Sequence, residues 1–220
     1  MINKYIVIGN PIEHSLSPKL HNYWIKKNNL NAIYEKKLTT KDNLKNIIDE
    51  IKDKKIHGIN VTVPFKNSVT TFIDKLSPEA KETNSVNTIY LEDNKIIGHN
   101  TDIAGFELGL RHLKYDVKNK KVFIFGAGGV VPSILFSLKR MGTSKIILCN
   151  RTKQKAEYLK NNFKGIEVVN WGEEIPKDVN MVINATSIGL KEGDSIKINY
   201  EALDGDKFFF DVIYNPNLTN

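Results

Sequence analysis

Lys121-Val-Phe-Ile-Phe-Gly-Ala-Gly-Gly-Val-Val131 is the stretch from which the fold can be read. Val122–Phe125 is a short apolar run of the kind a fully buried parallel strand uses, and Gly126-Ala127-Gly128-Gly129 interrupts it. A helical pattern follows over Val131–Met141. Strand, glycine turn and helix in that order match the opening of a dinucleotide-binding βαβ unit. Glycines there let the backbone turn sharply and approach a pyrophosphate, while the helix N-terminus offers N–H groups and a partial positive charge. A purely structural turn has the same composition. Val131 stands where G-x-G-x-x-G has its third glycine, which predicts a slightly wider spacing of helix and strand.

Toward the C-terminus, Lys145–Cys149, Ile166–Val169, Met181–Asn184 and Phe208–Val212 read as strands, with a helix over Lys153–Phe163. This alternation predicts parallel βαβ units. NAD binders place an Asp or Glu about 20 residues beyond the glycine turn, on the ribose 2′-hydroxyl. Here the strand ends in Asn150-Arg151-Thr152, with no acid. A guanidinium beside amide and hydroxyl groups suits a 2′-phosphate, which a carboxylate would repel, so NADP is the expected cofactor. The alternative makes Arg151 a surface cation and Thr152 a helix N-cap.

Toward the N-terminus, Tyr5–Gly9 reads as a buried strand and Pro18–Lys27 as a helix, with Ser17 as N-cap and Pro18 at its first position. Leu44, Ile47, Ile48 and Ile51 form one helix stripe. Gly58–Val63 is a strand, and Val86–Leu91 with Lys95–His99 a hairpin. Ile103, Phe106, Leu110 and Leu113 mark a further helix, and the polar stretch Asp116–Lys120 is the candidate boundary between domains 1–116 and 117–220.

The 220 residues carry 32 Lys+Arg against 25 Asp+Glu, a formal charge of +7. Only Arg111, Arg140 and Arg151 are arginines, and the lysines are scattered; a nucleic-acid reader would gather its cations and favour arginine. The surplus therefore reads as a solvated surface with a general preference for small anions. No apolar run approaches the roughly 18 residues of a membrane span. The N-terminal apolar run is too short for a signal peptide. Cys149 is the single cysteine, which excludes an internal disulfide and a cysteine-cluster zinc site, and the histidines have no metal-ligand spacing. These features point to a cytoplasmic protein with no metal.

Polar residues gather at the strand ends of the first half. Ser15 and Ser17, two positions apart beside a helix start, could bind a carboxylate, although capping also accounts for Ser17. Asn60 and Thr62 point the same way along their strand, and Lys66 follows Pro64. Asp102 closes Asn100-Thr101-Asp102 before a helix, where a first-turn acid is also favoured by the dipole.

Gly9-Asn-Pro-Ile-Glu-His-Ser-Leu-Ser-Pro18, Asn60-Val-Thr-Val-Pro-Phe-Lys66, Val86-Asn-Thr88, Asn100-Thr-Asp102, Gly126-Ala-Gly-Gly129, Asn150-Arg-Thr152 and Asn184-Ala-Thr-Ser187 occur in one order. In that order they resemble the shikimate dehydrogenases, over nearly the whole chain. The resemblance implies an α/β fold, with an N-terminal α/β substrate domain followed by a Rossmann-type doubly wound parallel-sheet NADP domain and a cleft between them. It implies NADP-dependent reduction of 3-dehydroshikimate to shikimate in aromatic amino-acid biosynthesis, by a monomer or homodimer binding neither nucleic acid nor membrane. Ser15 and Ser17 match the hydroxyls that hold the substrate carboxylate. Asn60, Thr62 and Asn87 match contacts to the ring substituents, and Tyr214 a tyrosine at the cleft. Lys66 and Asp102 match the catalytic pair. Gly126, Ala127, Gly128, Gly129, Val130, Asn150, Arg151, Thr152, Thr186 and Val212 match the cofactor contacts. The chemistry agrees: ketone reduction needs a proton at the nascent oxyanion, and a lysine oriented by a carboxylate supplies it.

Three departures stand out. Asn84-Ser85 replaces a usual Gly-Ala, Val131 replaces a small residue, and the sequence ends at Asn217–Asn220, where the family continues into C-terminal helices. Loss of those helices predicts weak activity and reduced solubility for a 220-residue form. The alternative functions are a quinate/shikimate dehydrogenase and a catalytically weak protein that binds shikimate or NADPH.

Overall fold

The computed structural model describes residues 2–191 and 193–214. The chain divides into two units, Met1–Asp102 and Ile103–Asn220.

In the first unit the elements are β1 (Asn3–Gly9), α1 (Ser17–Lys27), β2 (Ala32–Leu38), α2 (Leu44–Lys52), β3 (Gly58–Val61), β4 (Lys75–Leu76), α3 (Pro78–Thr83), β5 (Thr88–Glu92) and β6 (Lys95–His99). They build a six-stranded sheet in the order β2-β1-β3-β5-β6-β4. β1 runs parallel to both β2 and β3, and the β5–β6 hairpin adds antiparallel pairs. Alternation along β1 sends Ile6 and Ile8 to one face and Tyr5 and Val7 to the other. On the first face lies the predicted α2 stripe, with Leu44, Ile47, Ile48 and Ile51 all buried. Each contributes about 2 kcal/mol of hydrophobic stabilisation. The second face packs Val7, Ile12 and Tyr34, with Ile25 of α1 against them.

Helix α4 (Asp102–His112) follows and, apart from its first residue, belongs to the second unit. Then come β7 (Lys121–Phe125), α5 (Val131–Arg140), β8 (Lys145–Cys149), α6 (Lys153–Asn162), β9 (Ile166–Val169), β10 (Met181–Asn184) and β11 (Phe208–Asp211). The five strands are parallel in the order β11-β10-β7-β8-β9. Val122 and Ile124 face a core shared with α4, α5 and α6; Phe123 and Phe125 face the opposite side. That opposite side is covered by Ile175, Val179 and the partly buried Ile196, Ile198 and Leu203, which lie outside the α-helices.

Several details differ from the sequence reading. The division falls after Asp102, not after 116, because Phe106 and Leu110 of α4 belong to the second unit's core. Leu113 is exposed beyond the helix end. Helix α1 begins at Ser17, so Leu16 occupies the N-cap position and no side chain caps it. β2, β4 and α3 carry no strong local pattern and escape the sequence reading. Among the described residues, no helix is long and apolar enough to cross a membrane.

Candidate active site

Lys66 sits just beyond β3, in the turn that follows the cis Val63–Pro64 peptide. The turn is anchored by buried Phe65, whose N–H donates to the Thr62 carbonyl, and by the Val86 N–H donating to the Lys66 carbonyl at 2.8 Å. The Lys66 ammonium thereby reaches Asp102 Oδ2 at 2.7 Å, with the two side chains 13% and 21% exposed.

Asp102 is fixed from both ends. Its Oδ1 accepts from Asn87 Nδ2 at 2.8 Å, and its backbone N–H donates to Asn100 Oδ1 at 2.9 Å. Asn100 is itself buried and donates to Thr83 Oγ1 and the Ser85 carbonyl. The Asn84-Ser85 departure is accommodated here. Asn84 ends α3 in the left-handed conformation (φ 46°), which asparagine tolerates. An ammonium has three donors, so Lys66 keeps donors for a ligand oxygen after serving Asp102.

The neighbouring residues extend this network. Asn87 Oδ1 accepts from the Thr101 N–H at 3.0 Å and from Thr88 Oγ1 at 3.0 Å. Asn60 Nδ2 donates to Thr88 Oγ1 and to the Asn87 carbonyl, while Asn60 Oδ1 accepts from the Tyr34 hydroxyl at 2.6 Å. Thr62, half-buried, is held by its N–H to the Ile8 carbonyl. Ser15 Oγ accepts from the Ser17 N–H at 3.3 Å. The structure therefore joins Lys66, Asp102, Asn87 and Asn60 in one hydrogen-bonded group within the first unit. Thr101, Thr88, Asn100 and Tyr34 belong to it as well. Of these, Thr101 and Asn100 are within reach of a sequence reading because they flank Asp102; Tyr34 is not, since β2 alternates poorly.

In the second unit, Gly126 takes φ +110°, and a Cβ there would lie 2.5 Å from the Ala185 carbonyl oxygen. This close approach is where the strand order reverses: β8 and β9 lie on one side of β7, β10 and β11 on the other. Crevices at such reversals are where open α/β sheets bind ligands. Gly128 is exposed, and a Cβ added to it would come no nearer than 3.9 Å to the Ala185 carbonyl oxygen. Val130 is the N-cap of α5 and provides no side-chain cap. The backbone room of this turn, from Gly126 to Val130, suits a dinucleotide phosphate. Val131 fills the space beneath it with a fully buried side chain.

Arg151 and Thr152 are exposed at the start of α6, and Asn150 Nδ2 donates to the Thr152 carbonyl at 2.8 Å. Thr152 occupies the N-cap position without making a side-chain cap. Arg151, Trp171 and Ile188 help line a cavity of about 780 Å³. Thr186 is held by Asn184, whose Oδ1 accepts from both its N–H and its hydroxyl. Asn184 Nδ2 also donates to Asp211 Oδ2 at 3.1 Å, beside half-buried Val212. Tyr214 belongs to this second unit and is 67% exposed. The Asn215-Pro216 end of its motif and the Asn217–Asn220 terminus lie outside the described residues.

Two family models match the chain: the shikimate dehydrogenase substrate binding domain over residues 7–89, and shikimate / quinate 5-dehydrogenase over residues 107–212. A shikimate dehydrogenase (NADP(+)) of Pelagibacter ubique is 58% identical over 220 residues, covering 100% of this chain and 82% of that protein. The crystal structure of the Aquifex aeolicus shikimate dehydrogenase superposes with a TM-score of 0.89 at 40% identity, covering 97% of this chain and 79% of that one. The Thermus thermophilus enzyme, solved in complex with NADP(H) and shikimate, gives 0.86 at 29% identity, with coverage of 98% and 80%.

Proposed function

The chain belongs to the shikimate dehydrogenase family, and from that premise we infer that it is an NADP-dependent oxidoreductase interconverting 3-dehydroshikimate and shikimate in aromatic amino-acid biosynthesis. The observation that carries the chemical reading is the Lys66–Asp102 pair, held at 2.7 Å with each partner fixed by further hydrogen bonds.

In this reading Lys66 donates a proton to the carbonyl oxygen during reduction and accepts it back during oxidation. Its charge also stabilises the oxyanion as it forms. Asp102 keeps the ammonium aimed and accepts a hydrogen bond from a neighbouring ring hydroxyl. Ser15 and Ser17 hold the substrate carboxylate, and Asn60, Thr62 and Asn87 contact the ring substituents; Tyr214 is kept as a substrate residue on the family resemblance alone. NADPH, when bound, supplies the hydride. Gly126–Val130 receive its pyrophosphate, Asn150, Arg151 and Thr152 its 2′-phosphate end, and Thr186 and Val212 complete the contacts. The domain assignment follows the same division of labour, with substrate held by the first part of the chain and cofactor by the second. The reading includes a cytoplasmic location, supported by the single, buried thiol of Cys149, and a monomeric or homodimeric state that sedimentation velocity distinguishes.

Shikimate-dependent reduction of NADP+ by the purified chain tests the function, with NAD+ and quinate as parallel alternatives. Turnover with shikimate and NADP+ is expected to exceed both. Binding of NADP+ and shikimate without any turnover would leave a binding protein and refute the dehydrogenase; faster turnover of quinate would reassign the substrate.

A further inference from the structure

Tyr34 lies in β2, outside every motif of the sequence, and is only 4% exposed. Its ring stacks on His21 of α1, with centroids 4.1 Å apart and planes 5° from parallel. Asn22 bonds both backbone groups of Tyr34, donating to its carbonyl at 2.8 Å and accepting from its N–H at 3.0 Å. Tyr34 therefore joins the helix that starts at Ser17 to the sheet that carries Asn60.

The phenol is also one of three partners that hold the Asn60 carboxamide. The Asn87 carbonyl only accepts hydrogen bonds, so the side of the Asn60 amide facing it, at 3.2 Å, is the NH₂. The second amide hydrogen serves Thr88 Oγ1 at 3.1 Å. Oδ1 then faces Tyr34, whose hydroxyl donates to it at 2.6 Å. With both amide hydrogens engaged, what Asn60 offers a ligand is the second lone pair of Oδ1. Burial raises the Tyr34 pKa, against an opposing hydrogen bond with Ser17, so the phenol keeps its proton for this bond.

We propose that Tyr34 is a positioning residue for the substrate: its hydroxyl locks the Asn60 carboxamide so that Oδ1 accepts a hydrogen bond from a ring hydroxyl. The proposal rests on the assignment of Asn60 as a ring contact. Without the phenol hydroxyl Oδ1 loses its own partner, and the carboxamide, held only through its NH₂, no longer points its remaining lone pair in a fixed direction.

The test is a double-mutant cycle of Tyr34→Phe and Asn60→Ala, the first keeping the ring and its stack on His21. Shikimate Kd by calorimetry and the KM values for shikimate and NADP+ are the readouts. Tyr34→Phe is expected to raise Kd and KM for shikimate about five- to tenfold, the effect of one buried hydrogen bond. KM for NADP+ and the thermal midpoint stay near the parent values. Combined with Asn60→Ala, the added loss falls below about twofold, because the two changes act on one contact. Unchanged shikimate affinity in Tyr34→Phe overturns the proposal, as does the same increment with and without Asn60. Parallel losses for shikimate and NADP+ with a lowered midpoint would make the role structural and also overturn it. Unchanged affinity in Asn60→Ala removes the Asn60 assignment and the proposal with it, while failure of the parent chain to bind shikimate refutes the proposed function itself.

Discussion

In the first unit the candidate chemistry resides in a web of side chains, Lys66, Asp102, Asn87, Asn60 and Tyr34, each oriented by the next. In the second, the turn that fits a dinucleotide is made by backbone, where Gly126 passes Ala185 too closely for any Cβ. The contrast teaches where each half is vulnerable. A side-chain web loses function when an atom is removed, and the fold is expected to survive a change that spares the buried ring of Tyr34. A backbone-built turn loses its structure when an atom is added.

The largest effect expected is on the first unit. Lys66→Met should lower kcat about 10³-fold while leaving NADP+ affinity and the thermal midpoint nearly unchanged. Steady-state kinetics with a melting curve checks this, and near-parent turnover would break the comparison at its strongest point. Gly126→Ala should act in the opposite manner. The left-handed φ and the contact with Ala185 should cost about 3 kcal/mol in urea unfolding, with loss of cofactor binding following from the distorted turn.

Arg151→Ala sharpens the contrast, because it is the one proposed cofactor contact in the second unit that rests on side-chain charge. KM for NADP+ should rise about tenfold or more, while KM for NAD+ stays within about twofold. Equal changes for both cofactors would assign Arg151 to the surface. Gly128→Ala isolates the ligand's need for space from the fold's: with no close neighbour and no left-handed backbone, stability should stay within about 0.5 kcal/mol while KM for NADP+ rises.

The smallest effect is a pH dependence confined to the first unit. Burial lowers the His21 pKa below that of a free histidine, so the unfolded chain binds its proton more readily. The stability this group contributes is present above about pH 6.5 and is lost as pH falls through that unfolded value. The midpoint in urea should drop modestly toward pH 5.5, and less so in His21→Phe, which keeps a ring against Tyr34. An identical drop in the variant would remove His21 as the cause.

Much of this is legible from residue types in order along the chain. Lys66 and Asp102 are read as a pair only through the resemblance of their motifs to the family's, 36 residues apart in the chain, and they stand 2.7 Å apart. The α2 stripe and the βαβ alternation are legible because apolar spacing records which face of an element is buried. Ser17 reads as the N-cap because its composition suits that role; in the structure Leu16 holds the position and α1 starts one residue earlier than the pattern suggests. The polar stretch at 116 signals exposure, whereas the division after Asp102 follows from which sheet Phe106 and Leu110 cover.

By itself, then, the amino-acid order determined the two α/β halves, the glycine turn and the acid-free Asn150-Arg151-Thr152 corner, because each depends on local periodicity or on residue chemistry at a short spacing. The lysine–aspartate pair, 36 residues apart, is legible only through the family resemblance of its motifs. Only the tertiary structure decided that Gly126 meets Ala185, that α4 belongs to the second core and that the Tyr34 hydroxyl bonds the Asn60 amide. Those facts depend on strand order and register, which bring together residues far apart in the chain, and no local pattern encodes the orientation of an amide.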